Sequence, residues 1–452
     1  MSKDHVPDKY RHITEDKLYP LLWRMAIPSM IGMMVSAVYS MTDTFFIGRL
    51  GLTDLTASVG IVFAFISVVQ AVGFWFGYGA GNYVSRQIGK QRTDEADKMT
   101  SIGVGLAVLT GTLVMILGLM FLRPLALLLG AGTSEGLMNA TVSYLRITLF
   151  SVPVMLTANV LYNVLRLQGA AKESMTGLLA GMLVNMALDP VFILLLNMGV
   201  EGAALASFAG QLCGTVILIT RTGKNGNTSV HLSQAKPQLS YVKEILAGGA
   251  PNFCRQGISS ISAVILNNIA GCYGEAAIAG MTISSRIVQT GYALVIGFGQ
   301  GFQPICAINF GAGRYDRIKT SFKYALATST IFLIIMTVIF MFGADGLVGI
   351  FSKEAAVILT GTDMLKAQCV SLPFMAYYIL TGMCLQNIGR FAAATGVTTA
   401  QNGTFLIPAA IIFSIVFGYF GLVWCRPFAD LCALVFSYIF GGRISRKILK
   451  ER

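Results

Sequence analysis

The sequence predicts an all-α polytopic membrane protein, with twelve transmembrane helices in two pseudo-twofold-related six-helix bundles. Hydrophobic residues fill 55% of the 452 positions and charged residues only 12%. That is about half the charged share of a soluble domain, and mean hydropathy is +0.69. Apolar runs long enough to cross about 30 Å of hydrocarbon recur from one end to the other. The chain is also written twice, with its landmarks repeating at a nearly constant offset.

In chain order the expected spans lie at roughly 19–47, 55–84, 100–124, 140–164, 173–197 and 200–221 in the first half. The second half has spans at roughly 243–272, 275–308, 322–344, 362–386, 395–419 and 421–442. Several are long, or interrupted by Gly and Pro, which predicts tilted or kinked helices. The first carries Pro28 and Asp43, the second ends in the glycine cluster Gly77–Gly81, and the fourth holds Arg146 and Pro153. The fifth contains Asn185, Asp189 and Pro190, and the sixth Ser207. The seventh has Arg255, Asn267 and Asn268, and the eighth Arg286 and the cluster Gly297–Gly301. Lys366 and Pro373 lie in the tenth, and Arg426 and Asp430 in the twelfth. The two glycine clusters read as sites of close helix packing. With no GK[ST] after them, they are not phosphate loops.

The repeat is ordered. Pro28 meets Pro251, Gly77 and Gly79 meet Gly299 and Gly301, Arg92 and Asp94 meet Arg314 and Asp316, and Pro153 meets Pro373. Six helices per half is an even number, so both halves share one orientation, as in parallel-repeat transporters. The expected organisation is an N-terminal lobe at 1–221, a polar cytoplasmic connecting loop at 222–242, and a C-terminal lobe at 243–452. A cavity between two lobes is the expected place of work.

Net charge is +12, and its distribution points to topology, not nucleic acid. With the N-terminus cytoplasmic, 25 of the 33 Lys and Arg fall in ends and loops that face inward, including the 166–172 connection. This is the positive-inside asymmetry, and it places both termini in the cytoplasm. The N-terminal segment lacks the pattern of a cleaved signal peptide, so the first helix is expected to be retained. The eight cysteines form no CxxC pair and read as small core residues. All three histidines lie in the N-terminal tail or the central loop, which removes a histidine-built metal site or proton relay within the membrane. No arrangement of nucleophile and base suggests an enzyme, and no cofactor is expected.

Two acidic residues stand out because a charge at membrane depth costs several kcal/mol unless it faces a polar cavity or a ligand. Asp43 aligns with Leu266 in the second half and Asp189 with about Ile411, so the acidic pair belongs to the first half alone. The topology puts Asp43, Asn185, Asp189 and Ser207 at a common depth in the outer half of one bundle. Asn185 and Asp189 stand one turn apart on one helix face, and Pro190 removes a helix hydrogen bond and frees a carbonyl. Such a set suits Na⁺, by hard-cation logic, or a proton held by a coupled carboxylate pair. In the second half Arg286 and Asp430 are expected either to pair with each other or to contact substrate. Arg255, Asn267 and Asn268 are further candidates for a substrate cavity.

The segment Gly299–Ile305 (Gly-Gln-Gly-Phe-Gln-Pro-Ile), continuing through Asn309 to Arg314, resembles a signature of the multidrug and toxic compound extrusion (MATE) family. So do Pro28 with Asp43, the Asn185-x-x-x-Asp189-Pro190 stretch, and Gly202–Ser207. The resemblance spans essentially the whole chain and is closest to the bacterial, MepA-like branch. It implies export of cationic or amphipathic drugs across the plasma membrane in exchange for inward Na⁺ or H⁺, by a protein acting as a monomer. It also implies that Asp43, Asn185, Asp189 and Ser207 are the cation-site positions, Ser207 standing where Thr is common. Other branches carry a carboxylate on the seventh helix, where this chain has Arg255. A flippase for lipid-linked or anionic precursors is the alternative that Arg255, Arg286 and Arg426 keep open.

Overall fold

The computed structural model describes residues 8–48, 53–196 and 198–443, among which every regular element is helical. In order these are α1 (Asp8–Glu15), α2 (Leu18–Gly48), α3 (Thr53–Gly89), α4 (Thr93–Met120), α5 (Leu122–Leu128), α6 (Glu135–Leu167), α7 (Ala171–Pro190) and α8 (Gly199–Arg221). The second half continues with α9 (Leu239–Gly271), α10 (Glu275–Gly311), α11 (Tyr315–Phe351), α12 (Ala355–Ser371), α13 (Met375–Asn387), α14 (Phe391–Thr399) and α15 (Leu406–Phe436).

Among the described residues, ten helical stretches are long and apolar enough to span a membrane. One of them, Phe391–Gly441, runs for 51 residues but contains Gly418 at φ 60°, ψ −137°. That is a left-handed conformation which glycine alone adopts cheaply. The chain reverses there: a Cβ on Gly421 would collide with the Phe413 carbonyl. The stretch is therefore two crossings. The further crossing is α9, 33 residues long and more polar because it carries Arg255, Asn267 and Asn268. Twelve crossings result, as the sequence predicts. The crossing built from α12 and α13 is broken by a 3₁₀ turn at Leu372–Phe374, whereas its repeat counterpart α6 stays continuous through Pro153.

Alongside an apolar core, many large apolar side chains face outward while some polar ones are buried. Phe342 on α11 is 87% exposed and Gln303 on α10 is fully buried. Outward-facing Leu, Ile and Phe along α4 and α11 suit a lipid solvent, which rewards no burial of apolar surface.

The helices divide into two compact units, Ile31–Gly249 with the chain up to Ile13, and Thr14–Met30 with Ala250 onward. Two long helices are shared between them. The start of α2 belongs to the second unit, and the start of α9 to the first. Within the first unit α3 packs along α4 and α6, and α7 pairs with α8. Within the second, α10 packs on α11, α12 and α13, and α12 on α15. The two glycine clusters make the shared helices fit. Gly79 of α3 leaves no space for a Cβ against the Ile245 carbonyl of α9, and Gly301 of α10 abuts Cα of Ala26 in α2. The repeat therefore extends to this exchange.

The connecting loop is pinned to the first unit. The backbone N–H groups of Thr228, Ser229 and His231 donate to Gln168 Oε1 (3.0 Å), Asp97 Oδ1 (2.9 Å) and Ser101 Oγ (2.9 Å). At the start of α9, Arg86 pairs with Glu244 at 2.6 Å, Tyr241 Oη donates to Glu95 Oε2 at 2.6 Å, and Trp75 Nε1 donates to the Leu246 carbonyl at 2.8 Å. A single exposed ion pair contributes little, but here one partly buried pair acts together with hydrogen bonds from Tyr241 and Trp75. The double variant Arg86→Gln/Glu95→Gln is expected to open the loop to trypsin at Lys224 and Lys236. Digestion of the purified protein at a fixed ratio checks this, with a wild-type cleavage rate as the contrary result.

One basic residue corrects the sequence reading of charge. Arg166, counted there as an inward-facing loop cation, is fully buried at the end of α6. Its Nη2 donates to Asn163 Oδ1 at 3.0 Å, and its guanidinium lies 5.1 Å from the centre of the Tyr78 ring. It is a core residue of the first unit, not a topology signal.

Candidate functional site

The site in the first unit is built by a close helix pair. Gly177 and Gly181 on α7 face Gly210 and Gly214 on α8, a Gly-x-x-x-Gly spacing on each helix. A Cβ on Gly181 would stand 2.7 Å from the Gly210 carbonyl, and one on Gly210 would stand 2.5 Å from the Gly181 carbonyl. Only glycine allows the two backbones this close. Asn185 is the next residue of the same face, one turn beyond Gly181, and its Cβ already lies 2.9 Å from where a Gly210 Cβ would be. The glycine seam thus presses Asn185 against Ser207.

Asn185 bridges two partners. With its amide nitrogen toward Asp189, as the surrounding donors and acceptors require, it donates to Asp189 Oδ2 at 3.3 Å. Its oxygen then accepts from the Ser207 N–H at 2.9 Å and from Ser207 Oγ at 3.1 Å. Asp189 is fully buried and Asn185 nearly so. Three of the four expected positions therefore meet. Asp43, the fourth, falls on α2, but its side chain lies outside the described residues.

Pro190 closes α7, and the chain continues directly into a π-helical turn at Val191–Leu195. A proline removes one rung of the hydrogen-bond ladder, and a widened turn accommodates that loss. It sits immediately beside Asp189. Pro28 lies inside α2, two residues before that helix passes from one unit to the other.

Sequence reasoning missed Gln211, one turn beyond Ser207 on α8. Its Nε2 contacts Met155 Sδ at 3.8 Å, and its Oε1 is buried without a hydrogen-bond partner among the described residues. The glycine seam that positions the site was also unread, although its four-residue spacing is plain in the sequence. Chemically, the arrangement offers a carboxylate, a hydroxyl and amide oxygens in a dry setting, which suits a small hard cation or a proton.

The second unit differs. Asp430 is buried and accepts from Ser371 Oγ at 2.6 Å and Gln401 Nε2 at 2.8 Å. It does not pair with Arg286, which is exposed. Of the two arrangements the sequence left open for these residues, the Arg286–Asp430 pair is not formed. The reason is rotational. Ser285, the preceding residue on α10, accepts from Arg426 Nη1 at 2.9 Å, so Arg286 is turned about 100° away from that contact. Arg255 is half-buried and donates to Tyr292 Oη at 3.4 Å. Asn267 and Asn268 are exposed on α9 and join neither group.

Comparison with known proteins agrees with this architecture. The MatE family model matches residues 28–191 and again 251–412. The two matches begin at Pro28 and Pro251, the pair that the internal repeat superposes. The multidrug export protein MepA of Staphylococcus haemolyticus is 29% identical over 432 residues, 95% of this chain and 94% of its own length. MepA of Staphylococcus aureus strain NCTC 8325 is 29% identical over 427 residues, covering 94% of this chain and 93% of its own. Among solved structures, MATE in the bent conformation superposes with a TM-score of 0.90 at 22% identity, over 100% of this chain and 99% of that one. An outward-facing multidrug resistance MATE transporter of the MOP superfamily gives 0.88 at 22% identity, with the same coverage.

Proposed function

The chain belongs to the MatE family of multidrug efflux transporters, secondary transporters and not enzymes, and we propose that it exports cationic and amphipathic drugs in exchange for inward Na⁺ or H⁺. The observation that carries the coupling is the buried carboxylate of Asp189, joined through Asn185 to Ser207. The similarity to MepA proteins over nearly the whole chain supports the cargo class.

Coupling requires that the ion and the drug stabilise different states or compete for one site. A cation entering the Asp189 site neutralises a charge that is expensive at membrane depth. The ion-loaded and ion-free forms thus differ in which conformation they favour, and Pro190 with its π turn gives α7 a point at which to change. Asp43 completes the site in this reading. The basic residues concentrated in inward loops support a plasma-membrane orientation with both termini cytoplasmic, in a bacterial cell, with one chain as the working unit.

Proteoliposomes loaded with ethidium test this, with a Na⁺ gradient or a pH gradient imposed separately. One of the two gradients is expected to drive dye export. Transport indifferent to both would end the antiport reading.

A further inference from the structure

Within the second unit, α11, α12 and α15 enclose a groove of about 450 Å³, within the size range of small-ligand sites. Asp363, Lys366 and Val370 line it from α12, and Tyr419, Phe420 and Trp424 from α15. The three α12 residues follow at i, i+3 and i+7, so they share one helix face. All three are exposed, as is Phe420. The groove therefore opens sideways, toward acyl chains.

Its depth follows from the crossings. The ninth crossing, α11, ends at Phe351, and α12 starts at Ala355 on the membrane face opposite the first residue. Asp363 stands about two turns into α12 from that face and Lys366 about three. A charge so placed is expensive against hydrocarbon unless it meets a polar group. Lys366 is partly answered, since its Nζ lies 3.7 Å from Asp345 Oδ2 of α11. Among the described residues no cation forms an ion pair with Asp363. The hydroxyl of Tyr419 is buried without a hydrogen-bond partner among those residues.

The repeat shows that the scaffold does not require this set. Lys366 superposes on Arg146, and in that register Asp363 falls opposite Ser143, while Trp424 falls opposite Gly202. The cation is common to both halves; the carboxylate and the indole belong to the second alone. With Asp345 the group carries two carboxylates and one ammonium, a balance that disfavours an anionic headgroup. A headgroup of both signs answers each charge, with phosphate beside Lys366 and ammonium beside Asp363. A primary ammonium brings N–H donors to the carboxylate, whereas a trimethylated one brings none. Tyr and Trp rings are favoured where headgroups meet acyl chains.

We propose that this groove holds one phospholipid with a primary-amine headgroup, of the phosphatidylethanolamine type. Its ammonium meets Asp363, its phosphate meets Lys366 and the Tyr419 hydroxyl, and one chain runs over Val370 and Phe420. The inference goes beyond the efflux reading and is tested without any gradient.

The test uses the purified full chain in phosphatidylcholine vesicles and reads Trp424 as the difference in fluorescence between wild type and Trp424→Phe. Bromine on an acyl chain quenches an adjacent indole. A rising share of brominated phosphatidylethanolamine, or of brominated phosphatidylglycerol, thus reports which lipid occupies the groove. The ethanolamine lipid is expected to reach half-maximal quenching at about a fivefold lower share than the glycerol lipid, the worth of roughly one partly desolvated ion pair. Asp363→Asn, at an exposed position where folding is not at stake, should bring the two lipids within about twofold. Lys366→Gln should weaken quenching by both. Equal quenching by the two lipids in the wild type, or a preference unchanged in Asp363→Asn, overturns the proposal. So does relief of the quenching by tetraphenylphosphonium, which would make the groove a site for organic cations. Soluble phosphoethanolamine separates the lipid from its free headgroup: no relief is expected, and relief would contradict a lipid occupant.

Discussion

Asp189→Asn is expected to reduce dye efflux to the level of cells lacking the transporter, with the protein still folded and present in the membrane. The substitution keeps the shape and removes the charge. An amide can still meet Asn185, so packing of α7 on α8 survives, and a fully buried carboxylate is replaced by a group cheaper to bury. Stability should therefore hold or increase while coupling is lost. Asn185→Ala and Ser207→Ala each remove a partner of the site and not its charge, so partial activity with weakened ion dependence is expected. Efflux of ethidium, with membrane protein quantified by immunoblot, separates the cases. Retained efflux in Asp189→Asn contradicts the assignment of this carboxylate to the coupling site.

The second large effect is steric and has two symmetric forms. Gly79→Val on α3 drives a branched side chain into the backbone of α9 at Ile245, and Gly301→Val on α10 does the same to α2 at Ala26. Neither neighbour is the flexible end of a side chain, so a helix must shift. Overpacking of this kind costs about 1–3 kcal/mol and sometimes more, a large fraction of the roughly 5–15 kcal/mol that holds a protein folded. Both variants should lower the yield of monodisperse protein in size-exclusion chromatography. Gly257→Ala on α9 has open space around its Cβ and serves as the control. A Gly79→Val variant that behaves like Gly257→Ala would show that the two helices are not pressed together there.

The legibility of this chain divides along a physical line. Span positions and the duplication were readable because hydropathy, proline and glycine are properties of single positions. Depth was readable from topology, which is why Asn185, Asp189 and Ser207 were expected together and are found together. Rotation about a helix axis was not. Arg286 shares a helix with the residue that holds Arg426, yet one step of rotation turns it outward and leaves Asp430 to Ser371 and Gln401. Arg166 looked like a loop cation because it ends a helix in sequence, whereas packing buries it against Tyr78 and Asn163. The glycine seam of α7 and α8 was visible as spacing, but its role became clear only once Asn185 was seen pressed against Ser207.

The central claim is that drug and cation movements are linked through the carboxylate of Asp189. An antiporter runs in reverse, so a drug gradient imposed across proteoliposomes should drive counter-movement of the coupling ion. Radiolabelled Na⁺ uptake and an internal pH dye, read in parallel, report which ion moves. The wild type should show drug-driven movement of one of them, and Asp189→Asn should show none. Drug-driven ion movement that persists undiminished in Asp189→Asn would contradict the account.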